Sequence, residues 1–316
     1  MADPDLPLWG LSATIKADTV DILNFAAHHL DLGAHRLYLY LDAPDDRAFA
    51  LLKAHPKIRV QLRDDAFWIN KKGRVPPKHQ ARQSLNATHA YRRKVEVDWL
   101  IHMDVDEFLW PNETTLAHHL ATLGPEIKCA RVRPIESLAG DGSVYKAFMP
   151  PDGRRNAITH RIYPNFGRQV RCGFLSHVEG KLLVRTGLPD VTVKIHNIQQ
   201  DDTMNPDAAE LAQVDLCHQH ARDWDDWLSH YKYRLSKGSY RSELAPARDP
   251  ELGGMTLNAL LKLIEDDQGE AGLRAFYDEL CADTPDLRAR LDAEGLLRIR
   301  PLRLAEKRQK QFPDFS

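Results

Sequence analysis

Residues 99–109 read Trp99-Leu100-Ile101-His102-Met103-Asp104-Val105-Asp106-Glu107-Phe108-Leu109, an apolar run that ends in three carboxylates and then becomes apolar again. The run is typical of a buried strand that delivers acidic side chains to the edge of a sheet. Aspartates one residue apart at a strand end can both reach one hard cation, because the chain leaves regular pleat geometry there. For an isolated Asp-x-Asp, a polar turn before a helix is the simpler interpretation. Here the motif follows a hydrophobic strand, which favours a metal site instead.

The segments before this strand alternate between two hydrophobic periods. Strands are predicted at residues 8–15, 36–41 and 58–62, and helices at 19–32, 44–55 and 78–95. Strands joined by one helix in about 30 residues form a βαβ unit and run parallel. The alternation predicts an α/β fold, with an open, mostly parallel mixed sheet flanked by helices on both faces. Ligands bind beyond the carboxyl ends of such strands, so Asp42 and Asp104 are expected to share a cleft.

The second half of the chain has a different pattern. Short strand candidates broken by Gly and Pro begin near residue 128, and they include residues 129–133, 181–185 and 192–195. Residues 223–316 are mainly helical in pattern. We therefore expect one domain of residues 1–222, with its two halves meeting near residue 110, and a helical C-terminal region of residues 223–316 packed on it.

Composition limits the class of protein. The chain has 316 residues, 43% of them hydrophobic and 28% charged, with a formal net charge of −2, which gives no general electrostatic reason to bind nucleic acid. The acidic N-terminus lacks the pattern of a secretory signal, and no apolar run approaches the roughly 18 residues of a membrane span. The cysteines are far apart in sequence, which indicates reduced thiols in a cytoplasmic protein; they are Cys129, Cys172, Cys217 and Cys281.

Three separated blocks carry a family resemblance. The first contains Thr14-Ile15-Lys16-Ala17-Asp18, His28-His29-Leu30-Asp31-Leu32-Gly33-Ala34 and Tyr38-Leu39-Tyr40-Leu41-Asp42; the second contains Lys78-His79-Gln80-Ala81 and Asp104-Val105-Asp106-Glu107-Phe108; the third is Leu216-Cys217-His218, followed by Trp224 and Trp227. Their order and spacing resemble nucleotide-sugar glycosyltransferases with a GT-A fold, in the family 2-like group of the Glyco_tranf_2_4 type. The chain departs from that group where Lys16-Ala17-Asp18 replaces Lys-Asn-Glu and where Ala43 follows Asp42.

The resemblance implies roles for individual residues. A Mn²⁺ or Mg²⁺ ion would be held by Asp104 and Asp106, with His218 as a third ligand ahead of His220 and His196, and would neutralise the diphosphate leaving group. The residues expected to bind the donor are Thr14, Lys16, Asp42, Lys78, Gln80 and Asp104. An inverting transfer also needs a general base, for which Glu179 is the first choice, ahead of Glu136 and Asp141. Glu107 is the other candidate catalytic carboxylate.

The expected partners are a nucleotide-sugar donor, with uridine diphosphate as the nucleotide, and a glycan or lipid-linked acceptor. In this scheme residues 1–110 bind the nucleotide and residues 111–222 bind the acceptor. Basic residues near the C-terminal end could touch anionic lipid at the inner face of a membrane, or could simply solvate a terminal helix; they are Arg298, Arg300, Arg303, Lys307, Arg308 and Lys310.

Two other functions stay open at the sequence level. In a metal-dependent phosphoester hydrolase, one or two ions would activate water. The residues that surround those ions would be His102, Asp104, Asp106, Asp215, His218 and His220. A catalytically silent carbohydrate-binding protein could keep the same scaffold, because function resides in the site and not in the fold.

Overall fold

The computed structural model describes residues 5–93, 96–149 and 151–315. Its strands, in chain order, are β1 (Trp9–Ile15), β2 (Arg36–Leu41), β3 (Ile58–Leu62), β4 (Trp99–His102), β5 (Glu107–Pro111), β6 (Cys129–Ser137), β7 (Val144–Lys146), β8 (Lys181–Arg185), β9 (Val191–Val193), β10 (Ile198–Gln200), β11 (Thr203–Met204), β12 (Ala208–His218) and β13 (Leu297–Ile299).

The helices separate these strands. They are α1 (Thr19–Asp31), α2 (Asp46–Ala54), α3 (Asp65–Lys72), α4 (His79–Arg92), α5 (Leu116–Ala121), α6 (Arg155–Ile162), α7 (Trp224–Ser236), α8 (Leu257–Leu280), α9 (Pro285–Ala293) and α10 (Leu304–Gln311). No helix in the described ranges combines the length and the apolar run that crossing a bilayer requires.

The chain forms two compact units. The first unit consists of Met1–Arg133, Glu179–Leu216 and Arg303–Ser316, and the second consists of Pro134–Val178 and Cys217–Leu302. The predicted boundary at residue 222 therefore falls inside a segment of the second unit. The division into a domain of residues 1–222 and a helical region of residues 223–316 stays a prediction.

The first unit is built on a mixed sheet with the order β6-β8-β4-β1-β2-β3. The strands β1, β2, β3 and β4 are parallel to one another, as the βαβ pattern predicts, whereas β8 is antiparallel to both β4 and β6. Every residue of β1 is buried, so the sheet is covered on both of its faces. The prediction of an open mixed sheet flanked by helices is confirmed.

Helices α4 and α1 of the first unit have different packing partners. Helix α4 packs on the sheet through Ala87, Ala90 and Tyr91, which share a core cluster with Tyr38 and Leu100. Helix α1 is buried on all sides over residues 25–30, and it packs along α10, a helix that lies far away in sequence. Lys310 of α10 forms an ion pair with Asp31 of α1 at 2.5 Å.

The second unit has its own core. The end of β6 pairs with β7, and β7 pairs with β13, in both cases antiparallel. Trp227 and Tyr231 of α7 are buried and pack against Phe276 and Tyr277 of α8. Helix α8 is interrupted at Gly269, whose backbone angles of φ 61° and ψ −146° suit glycine alone.

Most predicted elements are present with boundaries shifted by a few residues. The predicted strands at 36–41 and 58–62 match β2 and β3, and residues 223–316 are mainly helical, as predicted. The helix predicted over residues 78–95 is α4, which ends at Arg92; residues 94 and 95 lie outside the described residues, as do residues 1–4 of the predicted acidic N-terminus. All four cysteines are buried and free of disulfides.

Candidate functional site

The candidate site lies at the carboxyl edge of the parallel strands in the first unit. Strand β1 pairs with β2 on one side and with β4 on the other, so successive crossovers diverge from β1. In an open α/β sheet such a reversal of strand order leaves a crevice outside the carboxyl ends of the strands, and ligands bind there. Lys16 follows β1, Asp42 follows β2, and Asp104 follows β4 after one intervening residue.

Asp104 is held by two side chains of the same unit. The Lys181 Nζ donates to Asp104 Oδ2 at 2.6 Å, and the Gln83 amide donates to Asp104 Oδ1. Lys181 also pairs with Glu107 Oε2 at 3.3 Å. Burial alone would raise the pKa of Asp104, but the Lys181 ammonium outweighs it and holds that pKa well below its usual range. Asp104 is therefore ionised and fixed in orientation.

Strand register explains how Lys181 arrives at this point. Strand β8 is antiparallel to β4 with Leu183 opposite Ile101, so Lys181, two residues before Leu183, reaches the end of β4. The preceding residue, Gly180, has φ 73°, and a Cβ there would lie 2.0 Å from the Val132 carbonyl oxygen. Only glycine accommodates this backbone conformation and this close approach.

Glu107 closes the turn between β4 and β5. Its Oε2 accepts a hydrogen bond from the backbone N–H of Asp104 at 2.8 Å, and its side chain has no exposed surface. The backbone N–H of Glu107 in turn donates to the Asp104 carbonyl oxygen at 3.2 Å. The Glu107 carboxylate thus fixes the shape of the turn that presents Asp104 and Asp106.

Asp42 is held at the end of β2 by helix α4. Its carboxylate accepts hydrogen bonds from Arg82 Nη2 at 2.7 Å and from His79 Nδ1 at 3.2 Å, and its side chain is 2% exposed. Burial would raise the pKa of Asp42, but the hydrogen bonds from His79 and Arg82 lower it below its usual range. Arg82 also donates to the Pro76 carbonyl oxygen at 2.8 Å. Asp42 therefore anchors the beginning of α4 and the loop before it.

Polar side chains continue under α4 along the sheet. Asn86 donates to Thr14 Oγ1 at 3.0 Å. Ser12 and His102 lie opposite each other in the β1–β4 register, and the Ser12 hydroxyl and both His102 ring nitrogens are buried without a hydrogen-bond partner among the described residues. Burial, followed by the nearby Lys181 charge, lowers the pKa of His102 to about 4. His102 is therefore neutral at pH 7.

A cavity of about 430 Å³ opens beside this edge, where β1 and β2 end and α1 begins. Its lining includes Ile15, Lys16, Asp18, Pro44, Arg47 and Phe315. Lys16 is exposed there, as a residue that contacts a bound ligand must be. The predicted donor residue Lys16 thus lies on the wall of a cavity large enough for part of a small organic ligand.

The other predicted residues lie in different surroundings. Lys78 and Gln80 are exposed at the first turn of α4, and Asp106 is half-buried in the turn after β4. Glu179 is exposed, and its carbonyl oxygen accepts a hydrogen bond from Arg131 at 2.8 Å. His218 belongs to the second unit, where its ring centroid lies 5.1 Å from that of His177. The metal-binding and catalytic roles of these residues stay predictions.

Sequence reasoning missed the basic partners of the carboxylates. Lys181 lies 77 positions from Asp104, and Arg82 lies 40 positions from Asp42. No local spacing relates such residues, because strand register and helix packing bring them together. The one available signal was Gly180 before a predicted strand, which is typical of a close backbone approach.

The carboxylates fit a divalent cation in their donor chemistry. Asp104 and Asp106 offer the oxygen ligands that Mg²⁺ and Mn²⁺ prefer. The Asp104 side chain is 28% exposed, and each of its ionised oxygens has lone pairs beyond those used by Lys181 and Gln83. A bound cation would therefore contact the Asp104 carboxylate together with the Lys181 ammonium group.

No family model and no curated protein match this chain. Among solved structures, it is similar to a mannosyltransferase from Pyrobaculum calidifontis in complex with GDP-mannose and Mn²⁺, at TM-score 0.40 and 15% identity over 98% of this chain and 86% of that one. It is similar to a mycobacterial protein at TM-score 0.32 and 13% identity, over 68% of each chain. With mouse xyloside xylosyltransferase 1 the TM-score is 0.27 at 15% identity, over 57% of this chain and 67% of that one. Likenesses this low carry no conclusion about function.

Proposed function

We propose that this chain is a glycosyltransferase that moves a sugar, with inversion, from a uridine-diphosphate donor to a glycan or lipid-linked acceptor. One observation carries the proposal: a cavity walled by Lys16 lies at the same sheet edge as two ionised, immobilised carboxylates, Asp42 and Asp104. Residues of the first two sequence blocks that resemble GT-A glycosyltransferases thus meet at this edge, which supports a donor site there.

In this proposal the chain itself supplies binding and orientation. Lys16 attracts the anionic part of the donor into the cavity, and a hydrogen bond from Asn86 fixes the Thr14 hydroxyl. Asp42 is proposed to act indirectly, because its side chain is 2% exposed and lies outside the cavity lining: its hydrogen bonds with Arg82 and His79 hold the start of α4 in place. Lys78 and Gln80, exposed at the start of α4, are proposed to contact the phosphates.

The proposed cation is Mn²⁺ or Mg²⁺, held by Asp104 and Asp106. When bound, it would neutralise charge on the diphosphate leaving group. Lys181 keeps Asp104 ionised and oriented for this purpose, and Glu107 holds the turn that carries both aspartates.

The acceptor hydroxyl needs a base to take its proton. Glu179 is exposed, so its carboxylate can meet an acceptor. Glu107 is buried and forms an ion pair with Lys181, so it is better placed to hold the Asp104 turn than to accept a proton from an acceptor. We therefore propose Glu179 as the general base.

Calorimetric binding of UDP, GDP and CDP, each with and without Mn²⁺, tests the proposal on the wild type and on Asp106→Asn. We expect metal-dependent binding of UDP that is lost in Asp106→Asn. The matched control is Asp201→Asn, an exposed aspartate in the turn between β10 and β11, which should bind as the wild type does. Binding of none of the nucleotides by the folded wild type would reject the proposal. Release of phosphate from a phosphoester without any acceptor would favour the hydrolase instead.

A further inference from the structure

The segment that follows α10 contributes to the wall of the cavity. Phe315 lines the cavity together with Lys16 and Arg47, although it lies about 270 positions from Arg47 in the sequence. The Arg47 guanidinium lies 4.4 Å from the centroid of the Phe315 ring, and that of Arg308 lies 5.6 Å from it. These distances are typical of cation–π contacts.

Several contacts fix the position of Phe315. Its backbone N–H donates to the Phe312 carbonyl oxygen at 3.0 Å, and the Phe312 side chain is buried, with 3% exposed. Helix α10, immediately before it, is tied to α1 by the Lys310–Asp31 ion pair and by a hydrogen bond from Arg308 to Asn24. The aromatic ring is thus positioned by docked secondary structure.

The cavity combines apolar surface with charges of both signs. Ile15, Pro44 and Phe315 supply apolar surface, Lys16 and Arg47 supply cations, and Asp18 and Asp45 supply carboxylates. The acidic Asp45 is already engaged, since its carboxylate accepts hydrogen bonds from the Ala48 N–H at 2.8 Å and from the Thr19 hydroxyl at 2.6 Å. A ligand with a flat heteroaromatic ring and an attached phosphate matches this lining.

We propose that Phe315 and Arg47 form a nucleoside-binding wall, so that the segment after α10 completes the donor pocket. This inference rests on the proposed function, because it assigns the nucleoside of the donor to this cavity. It adds two binding residues that none of the three sequence blocks contains. Phe315 and Arg47 contribute to donor affinity and take no part in the chemical step.

The test measures UDP binding by calorimetry, in the presence of Mn²⁺, to the wild type, Phe315→Ala, Phe315→Trp and Arg47→Ala. We expect Phe315→Ala to weaken binding about tenfold, as the removal of an aromatic platform does, with Phe315→Trp close to the wild type. The donor KM should rise in Phe315→Ala while kcat stays unchanged. Tyr233→Ala is the matched control, because Tyr233 is 55% exposed on the second unit and is absent from the cavity lining.

The outcomes separate the two proposals. If the wild type binds UDP and Phe315→Ala binds it equally well or more tightly, the wall is wrong and the proposed function stands. If the folded wild type binds no nucleotide, the proposed function fails and the wall fails with it. A thermal melting temperature for Phe315→Ala within a few degrees of the wild type shows that lost affinity is not lost folding.

Discussion

Lys181 carries its charge inside the first unit with no exposed side-chain surface. Burial would lower the pKa of its ammonium group, but Asp104 and Glu107 outweigh burial and raise it. A buried ammonium of this kind is costly to form and still more costly to disrupt, because its removal leaves two carboxylates facing each other. The orientation of Asp104 therefore depends on a residue from a distant strand.

Replacing Lys181 tests this dependence. We expect Lys181→Met to lower the free energy of unfolding by about 3 kcal/mol, since it leaves buried carboxylate charge uncompensated. Chemical denaturation measures the change. Lys310→Met is the control, because the Lys310 side chain is 68% exposed and its ion pair with Asp31 should contribute less than about 1 kcal/mol. Equal losses in the two variants would contradict this account.

His102 predicts a pH dependence. Its pKa is about 4 in the folded chain, whereas an unperturbed histidine titrates near 6.5. Between these values the unfolded chain binds a proton that the folded chain excludes, so stability should fall as the pH is lowered from about 6.5 to about 4. His102→Gln should show a shallower decline in urea denaturation over that window. An identical slope in both proteins would show that His102 is protonated in the folded state.

At the same scale, acidic site residues were more predictable than basic ones. Asp42 and Asp104 follow apolar strands, and that local pattern alone placed them at a sheet edge. Lys181 and Arg82 owe their places to strand register and helix packing, which no local pattern records. His102 was recognised as a candidate, but its lack of hydrogen-bond partners among the described residues is visible only in three dimensions.

At the scale of elements, β8 shows how the start of a strand sets a side chain in the site. Gly180 brings the backbone against the Val132 carbonyl oxygen immediately before Lys181. Its positive φ and this close approach are two separate constraints on the residue type. Gly187, just beyond the other end of the strand, shares only the first, because it has φ 82° and no atom within 4 Å of an added Cβ.

The pair of glycines allows the two constraints to be measured apart. Gly187→Ala should cost about 1 kcal/mol of unfolding free energy, the cost of an L-residue at positive φ. Gly180→Ala should cost clearly more, by about 2 kcal/mol or above, because its methyl group would overlap a backbone oxygen. Equilibrium denaturation of both variants provides the comparison. Similar costs would mean that β6 and β8 separate easily at this point.

The elements themselves were predicted where hydrophobic period and end signals agreed. Strand β2 combines an apolar run with clear boundaries and matches its prediction. Helix α3 was missed because it is short and only half of its residues are apolar, with Trp68 as its buried residue, although the Asp64 cap and Gly73 mark its ends. Strand β12 was missed because much of its first half is exposed and its buried residues Leu211 and Val214 are three positions apart, so it lacks the strict alternation of a half-buried strand.

At the scale of the whole molecule, the chain passes between its two compact units four times. The first unit collects segments from the beginning, the middle and the end of the sequence, and its final segment is Arg303–Ser316. Helix α10 in that segment packs along α1. The stability of the first unit therefore depends on residues that no local prediction would assign to it.

Removal of residues 303–316 tests this dependence. We expect the truncated chain to lose stability selectively in the first unit, because α1 loses the helix that packs along it. Hydrogen exchange should rise at amides of α1 and stay near the wild-type level in α8 of the second unit. A uniform rise in both units would indicate that the two unfold as one.

The interleaved course of the chain also has a consequence for protein synthesis. Residues 1–133 leave the ribosome before the rest of the first unit, whose final segment is complete only after about 180 further residues have been added. At typical elongation rates this takes on the order of ten to thirty seconds. During that time the side of α1 that packs along α10 is exposed on the nascent chain. A chaperone that binds apolar helices would bind it during this interval.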